Sequence, residues 1–161
     1  MRTVLAVYSM NYPRRNPGVT MSLTSKQTSL VQSSFLEVTE EIALAAQSFY
    51  DRLFELDPSL RVLFKDDMRV QGRKLMQALL MIVNGLDNLD TLTPAIRNLG
   101  KRHITYGVQR AHYETVGSAL LWMLEYRLKD HFTPETQAAW QAAYQLIAAI
   151  ASEDESLPQA T

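Results

Sequence analysis

The sequence predicts an all-α domain, and three observations predict it. Asp57-Pro58, Thr93-Pro94 and Thr133-Pro134 each set an oxygen-bearing side chain before a proline. That is how a helix starts: the side chain accepts a hydrogen bond from a first-turn N–H, and proline has no N–H to leave unpaired. Between these marks apolar residues recur with helical spacing, and no window alternates with period two long enough for a strand. The intervals left over are short, as in a compact helical domain.

Taken in order, the pattern gives helices at about 25–37, 39–56, 57–62, 68–86, 93–105, 111–129 and 133–152. The first two rest on apolar periodicity. Asp57-Pro58 opens the third. The fourth holds Gly72 in its interior, where glycine costs about 1 kcal/mol against alanine, and a close helix crossing would explain it. Thr93-Pro94 opens the fifth and Thr133-Pro134 the last. Gly85 and Gly107 fall near helix ends, where a left-handed residue is often required. Residues 1–22 read as a disordered extension, residues 23–152 as one domain and residues 153–161 as a frayed, acidic tail. The run Val4-Leu5-Ala6-Val7 is too short and poorly flanked for a signal peptide.

Composition removes several functions. With 161 residues, 47% hydrophobic and 20% charged, the chain suits one ordinary domain. A net charge of -1 without long single-sign runs argues against a nucleic-acid partner. No stretch nears the roughly 20 apolar residues that span a bilayer, so no membrane partner is expected. There is no cysteine, which excludes disulfides, thiolate metal sites and thiol nucleophiles and suits a reducing cytoplasm. Dinucleotide, P-loop, serine-hydrolase, zinc-hydrolase and paired-carboxylate patterns are missing.

Chemistry then falls to three histidines. His103 continues the stripe Leu92, Ile96, Leu99 on one helical face, while His112 and His131 sit beside helix ends and read as surface or capping residues. From spacing alone His103 is either a core histidine or a ligand. One histidine on an apolar face can anchor haem, which needs one strong axial ligand and an apolar slot.

The order of segments is more specific. The run from Ser48-Phe49-Tyr50 through Asp57-Pro58 to Leu63-Phe64 resembles the second and third helices of a globin. Gln71-Gly72-Arg73-Lys74-Leu75-Met76 resembles the start of its distal helix, and Leu99-Gly100-Lys101-Arg102-His103 through Val108 its proximal segment. His112-Tyr113 through Leu121 and Ala139-Trp140 through Tyr144 resemble the last two helices. The likeness covers about residues 23–152. It is strongest to bacterial single-domain globins of the flavohaemoglobin lineage, including thermostable, acid-tolerant globins of methane-oxidising bacteria; neuroglobins are more distant.

The resemblance implies a globin fold around one haem pocket, with haem b held by His103 as the iron ligand. It places Phe64 on the porphyrin face and Tyr50 and Gln71 on the distal side as the reactive pair. Leu75, Leu99, Val108 and Val116 would line the pocket, and Lys74 would reach a propionate. Met76 and Met81 read as packing residues. Tyr113 matches the tyrosine of the flavohaemoglobin proximal network, while that network's acidic partner falls on Leu157, with Glu153 and Glu155 the nearest acids. The flavin and NAD domains of flavohaemoglobins have no counterpart in this chain. The implied function is high-affinity, reversible O2 binding, with conversion of NO to nitrate by electrons from a separate reductase; CO is a further ligand. Oxygen storage or delivery shares every residue, and a gas sensor would act through a partner. A haem-free interaction domain is disfavoured by His103 and the Tyr50/Gln71 pair.

Overall fold

The computed structural model describes residues 22–152. The extension expected over 1–22, all but its last residue, and the tail expected over 153–161 lie outside them. Six α-helices run through the described residues, with no strand among them: α1 Ser25–Val38, α2 Ile42–Leu56, α3 Met68–Asn84, α4 Leu89–Thr105, α5 Arg110–Leu128 and α6 Pro134–Ala151. Short 3-10 segments join several of them, the longest being Pro58–Leu63 between α2 and α3.

Local chemistry sets most boundaries. Thr24 and Gln27 form a reciprocal capping box at α1, each side chain taking the other's backbone N–H. Asp57 accepts from the N–H of Ser59 ahead of Pro58, so this mark opens a 3-10 segment where a helix at 57–62 was expected. Thr133 accepts from the N–H of Thr136 and α6 begins at Pro134 as expected.

Thr93-Pro94 does not behave as expected. α4 begins at Leu89, and Pro94 lies inside it. The Thr93 hydroxyl bonds back to the Leu89 carbonyl at 2.8 Å instead of capping. An interior proline removes one helical hydrogen bond and crowds the carbonyl four residues earlier, about 3 kcal/mol. Here that carbonyl belongs to the exposed Asp90, while Leu92 and Ile96 on the other side are buried. Burying such side chains stabilises by about 1.5–3 kcal/mol each, so packing outweighs the proline.

The glycines also divide. Gly107 has φ 92°, a left-handed turn after α4, as expected. Gly85 has φ -89° and is right-handed, so no left-handed turn follows α3. Gly72 is buried, and a Cβ there would lie 3.1 Å from the Ala46 Cβ, which makes it the close crossing of α3 over α2.

Packing pairs α2 with α5, α1 with α6, α4 with α6, and α2 with α3. The core between them holds Phe35, Leu53, Ile96, Leu121, Met123 and Leu124, all but fully buried. Trp140 closes it, donating its indole N–H to the Ser34 hydroxyl at 2.8 Å.

Candidate functional site

A helix pair joined by a short turn normally zips together, but α3 and α4 make no extended contact along their length. Leu63, Phe64, Leu75, Leu79, Leu99 and Val116 touch the core yet remain only partly buried. Val108, in the turn after α4, is also half-buried. A band of apolar surface left half-wet inside a fold marks a ligand slot.

His103 stands in the last turn of α4. Burial falls along its stripe, from Ile96 fully buried to Leu99 and His103 half-buried. Its Nδ1 lies 2.6 Å from the Leu99 carbonyl oxygen. A carbonyl only accepts, so the ring proton is on Nδ1 and Nε2 keeps its lone pair for an electrophile. Backbone bonding of this kind fixes a ligand histidine's tautomer and orientation.

On the α2 side, Tyr50 is buried and sits within a cluster of rings. Its ring meets Phe49 at 5.1 Å, Phe64 at 5.3 Å and Phe54 at 6.0 Å between centroids. These edge and stacked contacts hold the phenol in one orientation. Its hydroxyl points to α3, 3.4 Å from the backbone carbonyl of Gln71, a long and weak bond. Burial pushes the phenol pKa up to about 12, so Tyr50 stays a neutral donor across ordinary pH.

Tyr50 and Gln71 therefore come together through the α3 backbone, not through their side chains. The Gln71 amide turns outward and donates to the Asp66 carboxylate at 3.2 Å, and Lys74 binds the same carboxylate at 2.8 Å. Asp66 raises the pKa of the exposed Lys74. Asp66 was missed in the sequence: it lies five and eight residues from its partners, across a helix start, and no helical spacing links them.

The remaining candidates are dispersed. Tyr113 is half-buried in the first turn of α5, and its carbonyl accepts from the Tyr144 hydroxyl at 2.5 Å. Leu157 lies outside the described residues. His112 accepts at Nδ1 from the Gln109 N–H at 2.9 Å and so caps α5, while His131 pairs with Glu37 at 2.6 Å. Both take the surface roles expected of them. Met76 is 2% exposed and packs in the core, whereas Met81 is 45% exposed and does not pack as expected. Gly100, one turn before His103, was not singled out in the sequence. A Cβ there would fall 2.0 Å from the Ala151 carbonyl oxygen, so α4 and α6 meet backbone to backbone behind the histidine.

The residues present fit a haem. The slot is apolar and bounded by helices on both sides, and one histidine offers a free Nε2 to iron. Among the described residues no cluster of three His, Cys, Asp or Glu could hold a metal ion by itself. No described helix is long and apolar enough to cross a membrane.

Comparison with known proteins agrees. The family model described as Globin matches residues 47–151. The flavohaemoprotein of Vibrio cholerae is 30% identical over 131 residues, covering 80% of this chain and 33% of that protein. That of Bacillus subtilis is 28% identical over 129 residues, covering 78% and 32%. The chain thus spans about a third of the length of these two relatives. Neuroglobin-1 of Oncorhynchus mykiss is 30% identical over 144 residues, covering 81% of this chain and 91% of that one. Among solved structures, an engineered carbene transferase, whose parent is described as a nitric oxide dioxygenase from Rhodothermus marinus, superposes with TM-score 0.75. It is 30% identical, with 84% of this chain and 94% of that one covered. With its helices in this order and these matches along its length, the chain belongs to the globin family and is related to the bacterial flavohaemoglobins.

Proposed function

We propose that the chain is a haem protein that binds O2 reversibly and tightly, and that it converts NO to nitrate with electrons from a separate donor. Haem, when bound, supplies the iron that takes up the gas and the redox chemistry of the conversion. His103 would hold it through Nε2, with Nδ1 already committed to Leu99. Phe64, Leu75, Leu99, Val108 and Val116 would cover its faces and exclude water. With no cysteine in the chain there is no thioether attachment, which favours haem b.

The observation that carries this reading is Tyr50. A phenol that is buried, ring-clamped and kept protonated is a fixed donor on the side of the slot away from His103's helix. Its bond to the Gln71 carbonyl is long enough to yield to a better acceptor. O2 drawn toward superoxide accepts such a bond and CO hardly does. Tyr50 thereby retains O2, which suits a protein that must hold the gas until NO arrives. Gln71 contributes from outside the slot, through Asp66, and Lys74 is available to a propionate only by leaving that carboxylate. The cysteine-free composition suits a reducing compartment such as the cytoplasm.

Stopped-flow release of both gases from wild type and Tyr50→Phe tests the proposal. A hydrogen bond to a charged group is worth roughly 1.5–3 kcal/mol, so O2 release should quicken by about 10- to 100-fold. CO release should change by less than about threefold. Equal acceleration of the two gases would reduce Tyr50 to a packing residue and remove the case for oxygen retention. Fast O2 release from the wild type itself would favour delivery.

A further inference from the structure

The near-zero net charge conceals a division of the molecule into two ends. Segments 57–76 and 99–114 carry eight Lys/Arg against four Asp/Glu, whereas the rest of the described chain carries five against ten. The fold brings the two basic segments together. α3 and α4 run back from one turn, so the start of α3 and the end of α4 share an end. There a Cβ on Gly107 would lie 3.5 Å from the Leu63 side chain. His103 stands in the last turn of α4, at this same end. Arg61, Lys65, Arg69, Arg73, Arg102 and Arg110 are all exposed around it, and the Arg61 guanidinium lies over the slot-side ring of Phe54 at 5.2 Å. Asp66 is already occupied by Lys74 and Gln71, Asp67 caps α3 through the Arg69 N–H, and Asp57 accepts from the Ser59 N–H, which leaves Glu114 as the remaining acid there.

The opposite end is acidic and just as coherent. Gln32 bonds Asp87, His131 pairs with Glu37 and Arg127 with Glu41, which joins the ends of α1, α3 and α5. α5 has 19 residues, about 28 Å of helix, between the two poles.

We propose that the basic rim of the slot is the docking face for an acidic one-electron carrier protein, which reduces the haem through the slot mouth. The inference rests on the haem reading above. One electron leaves the carrier's reduced centre and ferric iron becomes ferrous; no bond is made or broken. The charge division orients the molecule, presenting its mouth to an anionic partner and turning its acidic pole away. Complementarity of this kind sets the association rate and makes it salt-dependent.

The test uses the haem-loaded protein and a flavodoxin as the acidic carrier. Calorimetry of the oxidised carrier gives affinity, and stopped-flow with the reduced carrier gives the rate of haem reduction. Arg69→Glu/Arg73→Glu should weaken binding and slow reduction at least tenfold at low salt, with the reduction potential and the gas release rates unchanged. Lys129→Glu, at the far end of α5, should change either by less than twofold. Raising salt from 20 to 300 mM should erase most of the difference between wild type and the double variant. A double variant that binds and is reduced like wild type overturns the proposal. So does selective binding of the wild type to vesicles of one-quarter phosphatidylserine without any effect on reduction, since the patch would then serve a membrane. Protein that takes up no haem at all refutes the earlier reading instead, and is seen at once as a missing Soret band.

Discussion

At the scale of single residues, the site depends on three side chains held in quite different ways. His103 is held by a backbone carbonyl on its own helix, so its ring orientation is set locally. His103→Ala should lose most bound haem, read as Soret absorbance per protein, while alanine at His112 or His131 should leave haem content unchanged. Retention by the His103 variant and loss by either of the others would reassign the ligand. Tyr50 is held by rings, and Gln71 by a half-exposed carboxylate. Solvent-exposed bonds are worth little, about 0–1 kcal/mol, and the Gln71 amide faces out. Gln71→Leu should therefore speed O2 release by no more than about fivefold, well short of Tyr50→Phe. An equal or larger effect would mean that the amide turns inward when gas is bound.

Among the elements, α4 carries most of the tension. It absorbs an interior proline at Pro94, and it crosses α6 so closely at Gly100 that no side chain fits. Gly100→Ala must push the Ala151 backbone away. Overpacking of this kind costs roughly 1–3 kcal/mol, more than the helix-propensity gain of about 1 kcal/mol from removing glycine. Because the crossing lies one turn from His103, haem affinity should fall as well. Gly72→Ala meets only the Ala46 Cβ at 3.1 Å, which α2 and α3 can accommodate by a few tenths of an ångström. Its net change should stay within about 1 kcal/mol. Urea unfolding of both variants decides the order; a Gly100→Ala protein as stable as Gly72→Ala would show that α6 ends short of the crossing in solution.

For the molecule as a whole, burial of Tyr50 links stability to alkaline pH. The folded pKa is raised to about 12 from 10.0, so the folded state holds this proton more tightly than the unfolded state. The stabilisation is full below pH 10 and fades as pH climbs toward 12. The loss attributable to this group is on the order of 2 kcal/mol. Unfolding free energies of wild type should drop more than those of Tyr50→Phe between pH 9 and pH 11.5. Parallel profiles would mean that water reaches the phenol.

The sequence alone determined the all-α class and the order of the six helices, because these depend on local signals, and its match to globin segments singled out His103 as the candidate ligand. Proline caps such as Thr133-Pro134, apolar spacing such as Leu92-Ile96-Leu99-His103, and the match to globin segments are all readable along one chain. Tertiary structure decided what local signals could not. Burial of Leu92 and Ile96 drew the start of α4 five residues ahead of its proline, against the cap that Thr93 would have made. Gly100 looked ordinary until α6 arrived against it. The Tyr50/Gln71 pairing runs through a backbone carbonyl while the amide serves Asp66, a choice between partners brought close only by folding. Charge shows the same limit: a chain with net charge -1 and no long run of one sign reads as electrostatically bland, yet folding gathers scattered cations at one end. Such effects add up through space, whereas a sequence displays only neighbours in the chain.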